Sequence, residues 1–201
     1  MGSGVGDAYS HRSAEYSELF GSMDAVHPAD RQLVSAWADG IVGCVIDAGC
    51  GPGHWTNFLG ECGIAARGVD LVPEFIDRAR STYPGVRFEL GSLDTLDAAT
   101  GTVGGVLSWY SLIHHEPGRM GTPLTEFGRV LRPGGALLIG FFEGQVIERF
   151  AHAVAPAYRW TVGGLGDELD AAGFDVVGTT VRATAGRRPH AAITTRRRES
   201  H

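Results

Sequence analysis

The chain reads as one α/β domain, a doubly wound, mostly parallel sheet of seven strands that ends in an antiparallel hairpin. Three observations predict this. Short apolar, β-branched runs alternate with stretches of helical spacing through most of the sequence. The first such run ends on Gly49-Cys50-Gly51-Pro52-Gly53 and leads straight into a helix. The 201 residues, 43% of them hydrophobic, suffice for one large core.

The elements follow in order. Residues 7–20 and 29–38 carry helical spacing (Tyr9, Tyr16, Leu19, Phe20; then Leu33, Val34, Trp37), which predicts two N-terminal helices within a cover over residues 1–40. Residues 41–48 form the first strand, and the helix behind the glycine loop runs to about Glu61. Strand, helix and strand then repeat over 65–70, 73–82 and 86–90, followed by a strand at 103–110, a helix at 123–131 and a strand at 136–142. Residues 143–160 lose any clear period and mix aromatics, charges and Pro156, as expected of an inserted cover segment. A helix over 164–172 ends at Gly173. Two β-rich runs, 174–181 and 191–197, flank a short turn and predict the closing hairpin.

Composition narrows the function. Glycine makes up 30 residues, about twice the usual share, without the period of a collagen. Net charge is −6, which argues against a general nucleic-acid surface. All 17 cations are arginine, so no lysine Schiff base or phosphate-loop lysine is available. The run Arg196-Arg197-Arg198 reads as a solvated tail. Three cysteines, Cys44, Cys50 and Cys62, fit a reducing, cytoplasmic setting better than a disulfide framework. Neither a signal peptide nor a membrane span is expected. Cys50, His54 and Cys62 match no ligand spacing, so no metal is expected either.

Glycines between a strand and a helix let a ligand approach the backbone, with unpaired helix N–H groups behind. A carboxylate closing the next strand can accept hydrogen bonds from ribose hydroxyls, and Asp70 lies 19 residues after Gly51. The pattern therefore predicts a nucleotide site. A dinucleotide fingerprint needs a third glycine where His54 stands, and with no lysine the chain also lacks a Ser/Tyr/Lys set, so an NAD-dependent oxidoreductase is disfavoured.

The stretch Val45-Ile46-Asp47-Ala48-Gly49-Cys50-Gly51-Pro52-Gly53 instead closely resembles the first motif of class I S-adenosylmethionine-dependent methyltransferases. The likeness continues through Val69-Asp70, Gly91-Ser92-Leu93-Asp94, Val106 to Tyr110, and Arg129-Val130-Leu131-Arg132-Pro133-Gly134-Gly135. It implies a Rossmann-like fold with N-terminal helices over the cofactor site. It also implies S-adenosylmethionine as cofactor, with S-adenosylhomocysteine as product. Asp47, Gly49, Gly51 and Gly53 would line the methionyl part, Asp70 would hold the ribose diol, and Leu71 would pack on adenine. Ser92 and Leu93 fall at the adenine edge, where the usual acid is replaced by Ser92 with Asp94 two residues on. Tyr16 stands for the tyrosine of the covering helix, and Trp109 for the fourth-strand contact.

Methyl transfer from a sulfonium is an in-line displacement, so alignment and exclusion of water can supply most of the catalysis. A base is needed only where the acceptor must lose a proton. His114 and His115, at the mouth of the fourth strand, and Tyr110 beside them are the candidate catalytic residues. Residues 147–160 hold Phe150, His152, Tyr158, Arg159 and Trp160, where the family commonly builds its acceptor pocket. Aromatics with one arginine suit a small, partly apolar and even anionic acceptor, and packing of a cover helix accounts for them equally well. The expectation is methylation of a small molecule, oxygen slightly ahead of nitrogen or carbon, by a protein for which a homodimer is compatible. A cofactor-binding protein without transferase activity is the alternative.

Overall fold

A computed structural model describes residues 3–184, 186 and 188–199, and for residues 3, 5, 11, 14, 16, 19 and 20 it describes the backbone alone. Two helices, α1 (Ser3–Phe20) and α2 (Pro28–Ala38), precede the strand β1 (Val45–Ala48), which leads into α3 (His54–Glu61). Next come β2 (Ala66–Asp70), α4 (Pro73–Thr82), β3 (Arg87–Leu90) and β4 (Val103–Trp109), then α5 (Gly121–Val130) and β5 (Leu131–Phe142). A small ribbon of β6 (Glu148–Phe150) and β7 (Ala157–Arg159) is followed by α6 (Val162–Ala171), β8 (Phe174–Arg182) and β9 (His190–Arg197).

Seven strands form one sheet in the order β3-β2-β1-β4-β5-β9-β8. The first five are parallel, and β9 runs antiparallel between β5 and β8. Both faces are covered, as the period of two in the strands requires. Val45, Leu107 and Leu138 turn to one face with Trp37, Trp55 and Leu59. Their neighbours Ile46, Val106, Leu137 and Ile139 turn to the other with Phe127, Leu165 and Phe174. Leu137 and Leu138 are both fully buried, each contributing about 2–3 kcal/mol relative to an exposed side chain.

The order reverses between β1 and β4, and that switch point opens a crevice at the strands' C-terminal ends. One of the family-like motifs serves mainly to hold this frame. In the Arg129-to-Gly135 stretch, Arg129 pairs with Glu126 at 2.7 Å and donates to the carbonyls of Leu96 and Ala98, while Glu126 accepts from the Leu96 N–H. The pair thereby ties α5 to the loop before β4.

Two strand boundaries need correction, and the cover segment takes a definite form. The first strand is shorter than residues 41–48, because its ladder with β2 begins only at Val45↔Ala66; Ile41 drops into the core and Val42 faces solvent. The fifth strand starts earlier, at Leu131, which already pairs with Val103 before an irregularity in register. Residues 143–160 hold no helix. Phe142, Phe150 and His152 stack edge to face there instead, and the β6–β7 ribbon carries the segment back to α6. Among the described residues no helix is long and apolar enough to cross a membrane.

Gly53 starts α3 in the left-handed region, with φ of 90°. A Cβ there would stand 2.6 Å from Phe88 Cζ and 2.9 Å from Ala79 Cβ. Gly53→Ala is therefore expected to lower stability by about 2–4 kcal/mol, from backbone strain plus overpacking. Urea denaturation measures it, and a loss under about 0.5 kcal/mol, the scale of an ordinary surface change, would contradict so tight a packing.

Candidate active site

The crevice is built around the carboxylate of Asp70 at the end of β2. Its Oδ2 accepts the Gly51 N–H at 2.8 Å and its Oδ1 accepts the Val72 N–H at 2.9 Å. One side chain thus fixes both the glycine loop after β1 and the entry into α4. Burial pushes its pKa up, while the N–H groups of Val72, Gly51 and Leu71 pull it down. Gly49 must be glycine for a different reason. At φ of 82° it lies so close to the end of β4 that a Cβ would fall 2.2 Å from Ser111 Cβ.

Two cavities meet over this loop, sharing Tyr9, Gly49, Gly51, Trp109 and Tyr110 as a common wall. The first runs along Asp70, Leu71, Ser92 and Leu93 and reaches His114 and His115. The second, of about 400 Å³, lies between the N-terminal helices and the ends of β5, β8 and β9, with Asp47 at its base.

Most of the residues expected from sequence are therefore gathered here, with three exceptions. Gly53 lines neither cavity, because its Cα faces Phe88 and Ala79. Asp94 also lines neither: its carboxylate accepts from His115 Nε2 at 3.2 Å, and its N–H closes a turn on Ser92 Oγ. Only Ser92 of that pair reaches the wall. The Tyr16 side chain lies outside the described residues, and Tyr9, one helical stretch earlier, stands in the wall. Of residues 147–160 only His152 lines a cavity. Trp160 is buried in the core, and Arg159 pairs with Glu148 and lies over the Phe150 ring.

Sequence reading missed Tyr9 and Phe75 as wall residues. Helical spacing marked Tyr9 only as part of an apolar helix face; in the fold it meets Phe75 of α4, the rings edge to face at 5.8 Å, and Ser10 Oγ donates to Glu74 nearby.

The hydrogen bonds decide the protonation of His114. Its Nδ1 lies 2.8 Å from the carbonyl of Pro156, which can only accept, so Nδ1 carries the proton. Its Nε2 is then a lone pair, 2.9 Å from Tyr9 Oη, and accepts from that hydroxyl. Burial lowers the pKa of His114, against the Pro156 bond that raises it, and keeps the ring neutral. His115 is likewise lowered by burial despite Asp94. Tyr110 has φ of 58°, uncommon for a residue with a side chain. Its hydroxyl is bonded to His190 Nδ1 across the end of β9, and burial raises its pKa.

A parallel α/β sheet with a glycine loop at its switch point and an acid on the adjacent strand defines a nucleotide-cofactor protein. Residues 45–135 match the methyltransferase domain family, and the site resembles that of the class I S-adenosylmethionine-dependent methyltransferases. It is 36% identical over 103 residues to magnesium-protoporphyrin O-methyltransferase of Rhodobacter capsulatus, a match spanning 48% of this chain and 45% of that one. Among solved structures it resembles the 1,6-didemethyltoxoflavin-N1-methyltransferase of Burkholderia thailandensis, with a TM-score of 0.75 and 27% identity over 99% of this chain and 92% of that one. The cyclase SpnF shares the fold, with a TM-score of 0.82 at 15% identity over 98% of this chain and 96% of that one.

Asp47, fully buried beneath the loop, accepts from Thr56 Oγ1 at 2.6 Å. Burial raises its pKa from 3.8 to about 7, against the Thr56 bond and with help from Asp70. Between those values the folded protein keeps a proton that the unfolded chain has released. This contribution to stability is full below about 3.8 and is lost as pH rises through about 7. Asp47→Asn keeps an acceptor for Thr56 and removes the ionisation. It should be more stable than the parent at pH 8 by about 2–4 kcal/mol, the gap closing near pH 4. Parallel denaturation curves across pH check this, and a gap independent of pH would contradict it.

Proposed function

We propose that the protein transfers a methyl group from S-adenosylmethionine to a hydroxyl of a small-molecule acceptor, the cofactor in the first cavity and the acceptor in the second. The shared wall at Tyr9 carries this reading. The first cavity fits the cofactor: the space in front of Gly51 is open where a Cβ would fill it, an apolar slot runs along Leu71, Val72 and Leu93, and the Asp70 carboxylate stands beside it. Gly49 and Gly51 would border its methionyl part, Asp70 the ribose, and Leu71, Ser92 and Leu93 the adenine. When bound, the cofactor supplies an electrophilic methyl on a sulfonium that departs as a neutral thioether.

The chain's own part is to align the acceptor and take its proton. Tyr9 lines both cavities, and in this reading a hydroxyl in the second gives its proton to Tyr9 Oη as Tyr9 passes its own to His114 Nε2. The Pro156 carbonyl, already bonded to Nδ1–H, then supports the imidazolium. His115 is turned to Asp94, and the Tyr110 hydroxyl is held by His190, so both orient the wall rather than carry the proton. A base built into an apolar cleft suits an acceptor that must be deprotonated, and this favours oxygen. The relatives include both an O-methyltransferase and an N1-methyltransferase, so the choice rests on the base.

Two outcomes are expected. S-adenosylhomocysteine should raise the Tm while NAD does not, and Asp70→Ala should weaken its binding by ~1.5–3 kcal/mol. Calorimetry measures the second, and unchanged affinity would remove Asp70 from the ribose. Tyr9→Phe should lower kcat by about a hundredfold, the lower end for loss of acid–base catalysis. In the parent, kcat should hold steady below neutrality and decline only beneath the ordinary imidazole value of 6.5, since the His114 pKa is lowered. A decline beginning above neutrality, or full activity in Tyr9→Phe, would overturn the relay.

A further inference from the structure

The second cavity is more apolar than polar, and Asp47 at its base, its pKa raised to about 7 by burial, adds negative charge only. A row of rings forms one side: Trp55, Trp109, Tyr110 and Phe142, with successive centroids 5.6, 5.6 and 5.0 Å apart. Among the described residues one arginine lines it, Arg182 at the end of β8. Its guanidinium donates to both oxygens of Asp30, at 2.8 and 2.6 Å, across from the first turn of α2. The two side chains are 24% and 19% exposed, so the pair is largely withdrawn from water.

Two of the imidazoles add no charge at neutral pH. His54 and His152 are both lowered to about 4, chiefly by burial. His27 Nδ1 accepts the Ala29 N–H, and His190 is bonded to Tyr110. A carboxylate brought into this space would lose its water and meet a cation already neutralised, which is costly. A flat, uncharged ring would meet stacking partners. Arg159, the cation that sequence reading assigned to this pocket, is engaged by Glu148 instead.

We infer that the acceptor is an uncharged, planar hydroxylated aromatic or heteroaromatic compound, and that Asp30 determines this specificity by cancelling the charge of Arg182. The inference rests on the second cavity being the acceptor site. A free carboxylic acid is thereby excluded as the group methylated, and Asp30 acts through Arg182 without touching the reacting atoms.

The test uses the whole chain saturated with S-adenosylhomocysteine and two probes that share one ring system, 1-naphthol and 1-naphthoate, measured by calorimetry at neutral pH. The parent should bind naphthol at least about tenfold more tightly than naphthoate, the scale of leaving one buried charge unpaired. Asp30→Asn releases the guanidinium and should shift the naphthoate-to-naphthol affinity ratio by about tenfold towards naphthoate. Arg182→Gln leaves Asp30 uncompensated and should shift selectivity the other way, towards 1-naphthylmethylammonium. This second arm keeps the test decisive if Asp30→Asn fails to fold. Equal binding of naphthol and naphthoate by the parent, binding of neither, or ratios unmoved in the folded variants would overturn the inference. If naphthol binds but is not methylated with S-adenosylmethionine, the acceptor class stands and the transfer reading fails. If S-adenosylhomocysteine itself does not bind, the cofactor assignment fails first.

Discussion

Everything at the crevice depends on the two hydrogen bonds made by Asp70. A loop with glycines at φ of 82°, 52° and 90° has many alternative shapes in isolation. Tying the Gly51 N–H to the end of β2 selects one of them. The same carboxylate takes the Val72 N–H and so sets the start of α4. From α4, Phe75 supports Tyr9, and Tyr9 meets His114. A single half-buried acid therefore couples the loop after β1 to a residue of the N-terminal helix. Its raised pKa reflects the cost of that burial, which the N–H groups only partly offset.

The Tyr9–His114 pair follows from topology rather than from local sequence. His114 lies just past β4 at the switch point, where the parallel strands open. Its Nδ1 is claimed by the carbonyl of Pro156, in the segment between β6 and β7. Proline suits that position, since it presents a carbonyl without an N–H to compete for it. The short contact from the Tyr158 N–H to the Ile113 carbonyl, 2.7 Å, holds the same segment against the β4 exit. The inserted segment thus acts by orienting an imidazole, with only His152 reaching a cavity wall.

How much of this was legible in sequence depends on how far apart the cooperating residues lie. The five parallel strands and the helices between them were readable because each run of β-branched or helical spacing is local. The loop and Asp70 were readable because strand, glycines and acid fall in one βαβ unit. Gly53 belongs to the same motif, and its packing against Phe88, a contact set by β3, could not be read from the motif. Tyr9 and Tyr16 carry the same helical signal, and only the placement of α1 on α4 puts Tyr9 in the wall. Asp94 sat at the right spacing for a ligand contact, but His115 draws it away. Residues 143–160 had no period because a short ribbon held by aromatic stacking needs none.

The two cavities differ in the same respect, and this bears on what each can evolve to hold. The first takes most of its wall from β1 to β4 and their loops, the region matched to the methyltransferase domain. The second shares that region's loop and adds Ala25, Val26, His27, Asp30, Phe142, His152, Arg182 and His190 from outside it. Asp30 and Arg182 are 152 residues apart in the chain, and their bonds exist only because α2 folds back over the C-terminal hairpin. The first cavity is thus constrained by geometry that the whole fold needs. The second also draws on side chains at the edge of the sheet, such as Arg182 at the end of β8. A fold shared with a cyclase as well as with methyltransferases is consistent with that division, because the chemistry is decided by the wall that the sheet does not dictate.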